Sequence, residues 1–108
     1  MKFLWIDDER PVASWFNNGN AEIARTYDDA IDIFLDINDG SDIYISFDHD
    51  LGMGKTGYDF AKWLVEHQCV GYFHVHSMNP VGAANIRQLL SHYGWKEIKN
   101  GYLGYLGL

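Results

Sequence analysis

"DIYISFDHDLG", residues 42–52, runs from an apolar stretch, Ile43 to Phe47, straight into Asp48, His49 and Asp50. A continuous apolar run, rather than clean alternation, suits a strand buried on both faces of a parallel sheet. A structural loop has no need to crowd two carboxylates around an imidazole, so the residues past this strand call for something to hold or attack. The chain opens on the same pattern. "KFLWI", Lys2 to Ile6, ends abruptly at Asp7 and Asp8.

Working outward, the other segments alternate strand with helix. "DDERP" is a loop, with Pro11 closing it or opening a short helix around "VASWF", and "NNGN" is a turn. "EIARTY" reads as a second strand. "DDAIDIFLDIN" places Ala30, Ile33, Phe34 and Ile37 at helical spacing, with Asp28 or Asp29 as cap and "NDG" as stop. "TGYDFAKWLVEH" is a helix with Phe60, Ala61, Leu64 and Val65 on one stripe and Thr56 at its cap. "YFHVHS" is a strand, Pro80 opens the helix "VGAANIRQLLSHYG", and "WKEIKN" supplies a short last strand.

This order predicts an α/β fold: a small parallel sheet of four to five strands, right-handed crossovers and helices on both faces, in three layers. All 108 residues form one domain, of ordinary size for a real core. Residues 100–108, a Gly/Tyr/Leu tail, receive no element.

Composition narrows the function. The formal charge of −7 argues against holding long duplex nucleic acid by phosphate neutralisation, though not against a small anionic ligand. Cys69 alone makes neither an intramolecular disulfide nor a Cys-rich zinc site. No stretch reaches the roughly 18 apolar residues of a membrane span, and the start turns acidic too early for a signal peptide. The expectation is a soluble, cytoplasmic protein with no membrane partner; its oligomeric state is not legible.

In a parallel sheet, ligands bind beyond the carboxyl ends of the strands. There fall Asp7 and Asp8, then Asp48 to Asp50, then His76, Ser77 and Asn79. Carboxylates gathered that closely raise each other's pKa or bind a cation. Asp7, Asp8, Asp48 and Asp50 are the candidate metal ligands. Oxygen donors suit Mg²⁺ or Mn²⁺, and an added histidine brings Zn²⁺ within range. Asp8 and Asp50 read equally well as solvated loop or capping residues.

His76, at the strand mouth, and His49 are candidates for proton transfer, with Asp48 at the reacting centre. His74, two residues deeper than His76, reads as a packed core histidine. Arg10, Ser77 and Asn79 are candidate phosphate contacts, against a salt bridge for Arg10 and a turn for Asn79. Lys55 in "GMGKTG" lacks the spacing of a phosphate-binding loop. Asp59 complements a helix N-terminus, and His67 and His92 sit near helix ends.

An acidic pair after the first strand, an Asp after the third and a Ser ending the next resemble the response-regulator receiver domain, which is flavodoxin-like. That resemblance assigns Mg²⁺ binding to Asp7 and Asp8, phosphoryl acceptance to Asp48 and a phosphate contact to Ser77. It also requires a lysine ending the last strand, for which "WKEIKN" has no clear equivalent. The ordered set "WIDDERP", "SFDHDLG", "TGYD" and "HSMNPVGAANI", from Trp5 to Ile86, more closely resembles the cyclic-phosphate-processing receiver-like family. That resemblance implies a receiver-like fold, the handling of cyclic phosphates on RNA or nucleotides, and shared polar positions at Asp7, Asp8, Arg10, Asp48, His49, Asp50, His76, Ser77 and Asn79. The expected function is a metal-dependent phosphoesterase acting on cyclic or terminal phosphates of nucleotides or RNA. The alternatives are a phospho-accepting signalling receiver and a binding module without turnover.

Overall fold

Lys2–Ile6 forms β1, and the chain then crosses 15 irregular residues to reach a three-residue strand, β2, at Glu22–Ala24. The structure is a computed structural model and describes residues 1–51 and 54–98. Gly52 and Met53 of the glycine loop, and the tail 100–108, lie outside the described residues.

After β2 the alternation is regular: α1 (Tyr27–Ile37), β3 (Ile43–Phe47), α2 (Gly57–Glu66), β4 (Tyr72–Val75), α3 (Pro80–His92) and β5 (Lys96–Glu97). Side-chain caps set the helix starts. Thr26, rather than Asp28 or Asp29, caps α1 by accepting from the Asp29 N–H; the two aspartates occupy the first turn, where they complement the dipole. That cap also shortens the strand expected over "EIARTY". Thr56 and Asp59 close a reciprocal capping box on α2, and Asn79 caps α3 just ahead of Pro80.

All strands are parallel, in the order β2-β1-β3-β4-β5. The chain leaves β1 toward one edge to make β2 and returns past it to make β3. The sheet therefore reverses its winding between β1 and β3, and a crevice opens there at the carboxyl ends. This is the receiver, flavodoxin-like arrangement.

One face of the sheet carries the main core: Leu4, Ile6, Ile45, Phe47, Phe73 and Val75 pack against Phe34 of α1, Phe60 and Leu64 of α2, and Ile86 and Leu90 of α3. All three helices share that cluster. The opposite face, with Trp5 and Tyr44, is covered by Phe16, Val12 and Ala13 of the β1–β2 connection. Sequence reading expected helices on both faces. Among the described residues, the second face instead takes an irregular segment, with only a 3₁₀ turn at Asn17–Gly19 and no helix at "VASWF". Turn residues and positive φ at Asn17 and Asn18 break the helix, while Phe16, fully buried, supplies the apolar weight. No helix among the described residues is long and apolar enough to cross a membrane.

Candidate active site

Backbone pairing carries the sheet one residue beyond β1, β3 and β4. Asp7 N–H donates to Ala24 O, Asp48 N–H to Ile6 O, and His76 N–H to Phe47 O, at 3.1, 2.8 and 2.9 Å. Ile6, Phe47 and Val75 are in register, so Asp7, Asp48 and His76 are the next residues on three adjacent strands. One ligand atom from each lies within 4.8 Å of the other two.

Asp7 is only 1% exposed. Its Oδ1 accepts from the Glu9 and Arg10 backbone N–H groups at 2.9 and 2.8 Å, and its Oδ2 faces His76 Nε2 at 3.0 Å. Burial alone would raise its pKa. The two backbone donors and His76 outweigh burial and hold the carboxyl below its usual range, so Asp7 is a fixed anion. Asp48 is pushed the other way, by burial first and the Asp7 charge second, against a smaller pull from the His49 N–H and the Ser77 hydroxyl. Here is a carboxylate short of positive charge.

Between them sits His76. Its Nδ1 is 2.7 Å from Ser46 Oγ, and Trp5 stacks on its ring at 4.0 Å and 5° between planes. Burial depresses the imidazole to about 4, in spite of Asp7, so the ring is neutral at pH 7. His76 was expected at the mouth of the strand; its side chain instead lies beneath the opening, 7% exposed.

Above these residues opens a cleft of about 340 Å³, lined by Asp7, Asp8, Glu9, Arg10, Asp48, Asp50, Met78 and Asn79. Six of the nine expected site residues thus line it. Arg10 is exposed, and among the described residues its guanidinium makes no salt bridge. Its loop is held from behind by Arg25, which donates to the Asp7 and Arg10 carbonyls at 3.0 and 2.6 Å. Asp50 is on the rim, its side chain 71% exposed and 3.3 Å from His49 Nδ1. Asn79 Oδ1 accepts from Gly82 N–H, and Ser77 Oγ accepts from Asn79 N–H, so both shape the start of α3. The Ser77 hydroxyl also bonds to Asp48. Asn79 Nδ2 lies 3.5 Å from His49 Nδ1. His74 is half-buried and bonded to Ile98 O at 2.8 Å, in keeping with a packed role.

Two glycines permit this packing. A Cβ at Gly57 would strike the Asp48 carbonyl, and one at Gly82 would strike the His49 ring. The glycines of "TGYD" and "NPVG" therefore let α2 and α3 press against the Asp48–His49 backbone and ring.

A family model described as "Cyclic-phosphate processing Receiver domain" matches residues 2–92. The chain belongs to that family. Its receiver fold and its connection with cyclic-phosphate processing follow from this membership. A search of the curated proteins found no match. Among solved structures, a fusion of the yeast Spc42 trimeric coiled coil to another structure resembles this receiver domain with a TM-score of 0.60 and 23% identity, over 89% of this chain and 67% of that one. At such identity the likeness speaks to fold alone.

Three members of the site escaped sequence reading: Ser46, Trp5 and Arg25. Ser46 had a signal, since it is the one small hydroxyl inside the apolar run "IYISF". Trp5 read as core, and Arg25 stands 15 residues from the loop it holds. The lysine expected of a phosphorylated receiver is not supplied by Lys96, which pairs with Tyr72 at the start of β4, the far end of the sheet from His76. Lys99 lies outside the described residues.

Proposed function

We propose that this edge of the sheet is the catalytic centre of a metal-dependent phosphoesterase acting on cyclic or terminal phosphates of nucleotides or RNA. The observation that carries the reading is the convergence of Asp7, Asp48 and the neutral His76 within 4.8 Å, with both carboxylates lining an open cleft.

The donor set fits a divalent ion. Two carboxylates and an imidazole suit Mn²⁺ or Zn²⁺, and Mg²⁺ with waters completing its shell. Asp48 is pushed upward by burial first and by the Asp7 charge second, and a bound cation would offset both. Asp7, Asp48 and His76 would hold the ion, with Asp8 and Asp50 near enough to the cleft to hold its waters. Such an ion, when bound, neutralises phosphoryl charge and acidifies a water.

The remaining work falls to the chain's own groups. Arg10 would offer forked donors to non-bridging oxygens from one wall and Asn79 its amide from the other, with the Ser77 hydroxyl turning from Asp48 to join them. His49, whose Nδ1 stands 3.3 Å from Asp50 Oδ1 and 3.5 Å from Asn79 Nδ2, would move the proton. The net charge of −7 favours a small substrate or an RNA end over a long duplex.

The test uses metal-stripped protein with Mg²⁺, Mn²⁺ or Zn²⁺ and a panel of 2′,3′-cyclic nucleotides, RNAs with cyclic-phosphate ends and cyclic dinucleotides. We expect metal-dependent opening of one class, reduced at least about 100-fold in Asp48→Ala. Recovery of every ligand intact, or unchanged cleavage by Asp48→Ala, would overturn the reading. A stoichiometrically retained ligand would indicate a binding module, and a hydroxylamine-sensitive adduct on Asp48 a phospho-accepting receiver.

A further inference from the structure

β3 is buried along its whole length, and next to its last residue Ser46 is fully inaccessible. A hydroxyl placed there costs about 1–3 kcal/mol if left without a partner. Its partner is His76 Nδ1 at 2.7 Å. Serine, histidine and aspartate thus stand in a chain, Ser46–His76–Asp7, that superficially suggests a hydrolytic triad. Burial excludes Ser46 as a nucleophile, because no substrate atom reaches it. The chain has to serve His76.

We propose that Ser46 is a positioning residue, whose hydroxyl partners His76 Nδ1 in either tautomer and so lets the ring hydrogen change place when a cation arrives. This rests on the reading of Asp7, Asp48 and His76 as a divalent-cation centre. Without a cation, Nε2 faces Asp7 Oδ2 at 3.0 Å. An ionised carboxylate only accepts, so Nε2 bears the hydrogen, and Nδ1 accepts the Ser46 hydroxyl proton. A cation at Nε2 requires that nitrogen bare, and the ring then holds its hydrogen at Nδ1.

Trp5, stacked in parallel on the ring, opposes a flip that would exchange the two nitrogens. Only the proton moves. A backbone carbonyl beside Nδ1 would accept alone and enforce one tautomer, whereas a methyl group would satisfy neither. A hydroxyl serves both by turning about its Cβ–Oγ bond, donating in one state and accepting in the other. The ring stays neutral: it loses one N–H at Nε2 and gains one at Nδ1 by exchange with water, and Ser46 keeps its own proton.

The experiment is two-bond ¹H–¹⁵N correlation on protein with ¹⁵N-labelled histidines at pH 7, metal-stripped and then with Zn²⁺. We expect wild-type His76 to read as Nε2–H without metal and Nδ1–H with it. Ser46→Ala should keep Nε2–H without metal, held by Asp7, and bind Zn²⁺ about 10-fold more weakly because Nδ1–H is then left without an acceptor, and Ser46→Thr should restore the affinity. A wild-type ring that is Nδ1–H before metal is added would overturn the proposal, even if Ser46→Ala does not fold. So would a folded Ser46→Ala that binds Zn²⁺ as tightly as wild type. His76 signals unmoved by Zn²⁺ would remove the cation centre and the proposal with it. The expected tautomer shift without turnover of any cyclic phosphate would leave Ser46 in this role and refute the phosphoesterase alone.

Discussion

Asp7 and Asp48 end neighbouring strands and face the same point, but the chain holds them in opposite ways. Asp7 accepts two backbone N–H groups of its own loop and faces His76, and its charge is held in place. Asp48 takes one backbone N–H, from His49, and its charge is opposed by burial and by Asp7. One carboxylate belongs to the architecture. The other is left short of positive charge. The difference teaches that an acidic site is built by satisfying one anion so completely that a second is left short of positive charge.

The largest expected effect strikes the backbone beneath Asp48. Gly57→Ala puts a methyl into the Asp48 carbonyl, where no flexible side-chain end can give way. A loss of about 3 kcal/mol in urea unfolding is expected, with the Asp48–His49 turn displaced. Stability within about 0.5 kcal/mol of wild type would show that α2 does not support this strand end as described.

Asp7→Asn and Asp48→Asn then separate the carboxylates directly. Asn at position 7 still accepts from the loop but forfeits the charge-assisted bonds, so metal-free stability at pH 7 should fall by about 2 kcal/mol. Asp48→Asn should leave the melting point equal or a few degrees higher, because it removes an opposed charge. Shifts of the same sign and size in both would erase the distinction.

A smaller effect sharpens it through pH. Burial and the groups around it place the His76 imidazole at about 4 against an ordinary 6.5, so between those values the unfolded chain binds the proton more readily. The His76 contribution is therefore complete above about pH 6.5 and lost as pH falls toward 4. Wild type should lose roughly 1–2 kcal/mol more than His76→Gln across that window. Asp7, with its lowered pKa, adds its own loss only further down, as pH falls through its folded value. Parallel slopes for the two proteins would contradict a buried neutral ring.

Much of this was legible in the chain. The apolar runs Lys2–Ile6 and Ile43–Phe47, each cut off by aspartate, marked two central strands and placed their carboxylates on one edge, because a parallel sheet brings all carboxyl ends together. Thr56 and Pro80 announced helix starts through chemistry local enough to read residue by residue. Long-range choices were not legible. Covering the second face with Phe16 on an irregular loop depends on tertiary packing that overrides periodicity. Nor does spacing reveal that His76 leans inward across Ser46 to stack on Trp5, since that contact joins residues 71 positions apart in sequence, from Trp5 to His76.

The most direct test of the central claim is calorimetric titration of the metal-stripped protein with Mn²⁺ at pH 7, beside Asp48→Asn under the same conditions. We predict one ion bound per chain in wild type and at least about 10-fold weaker binding in Asp48→Asn. No binding by the wild type, or equal binding by both, would contradict a cation centre formed by Asp7, Asp48 and His76.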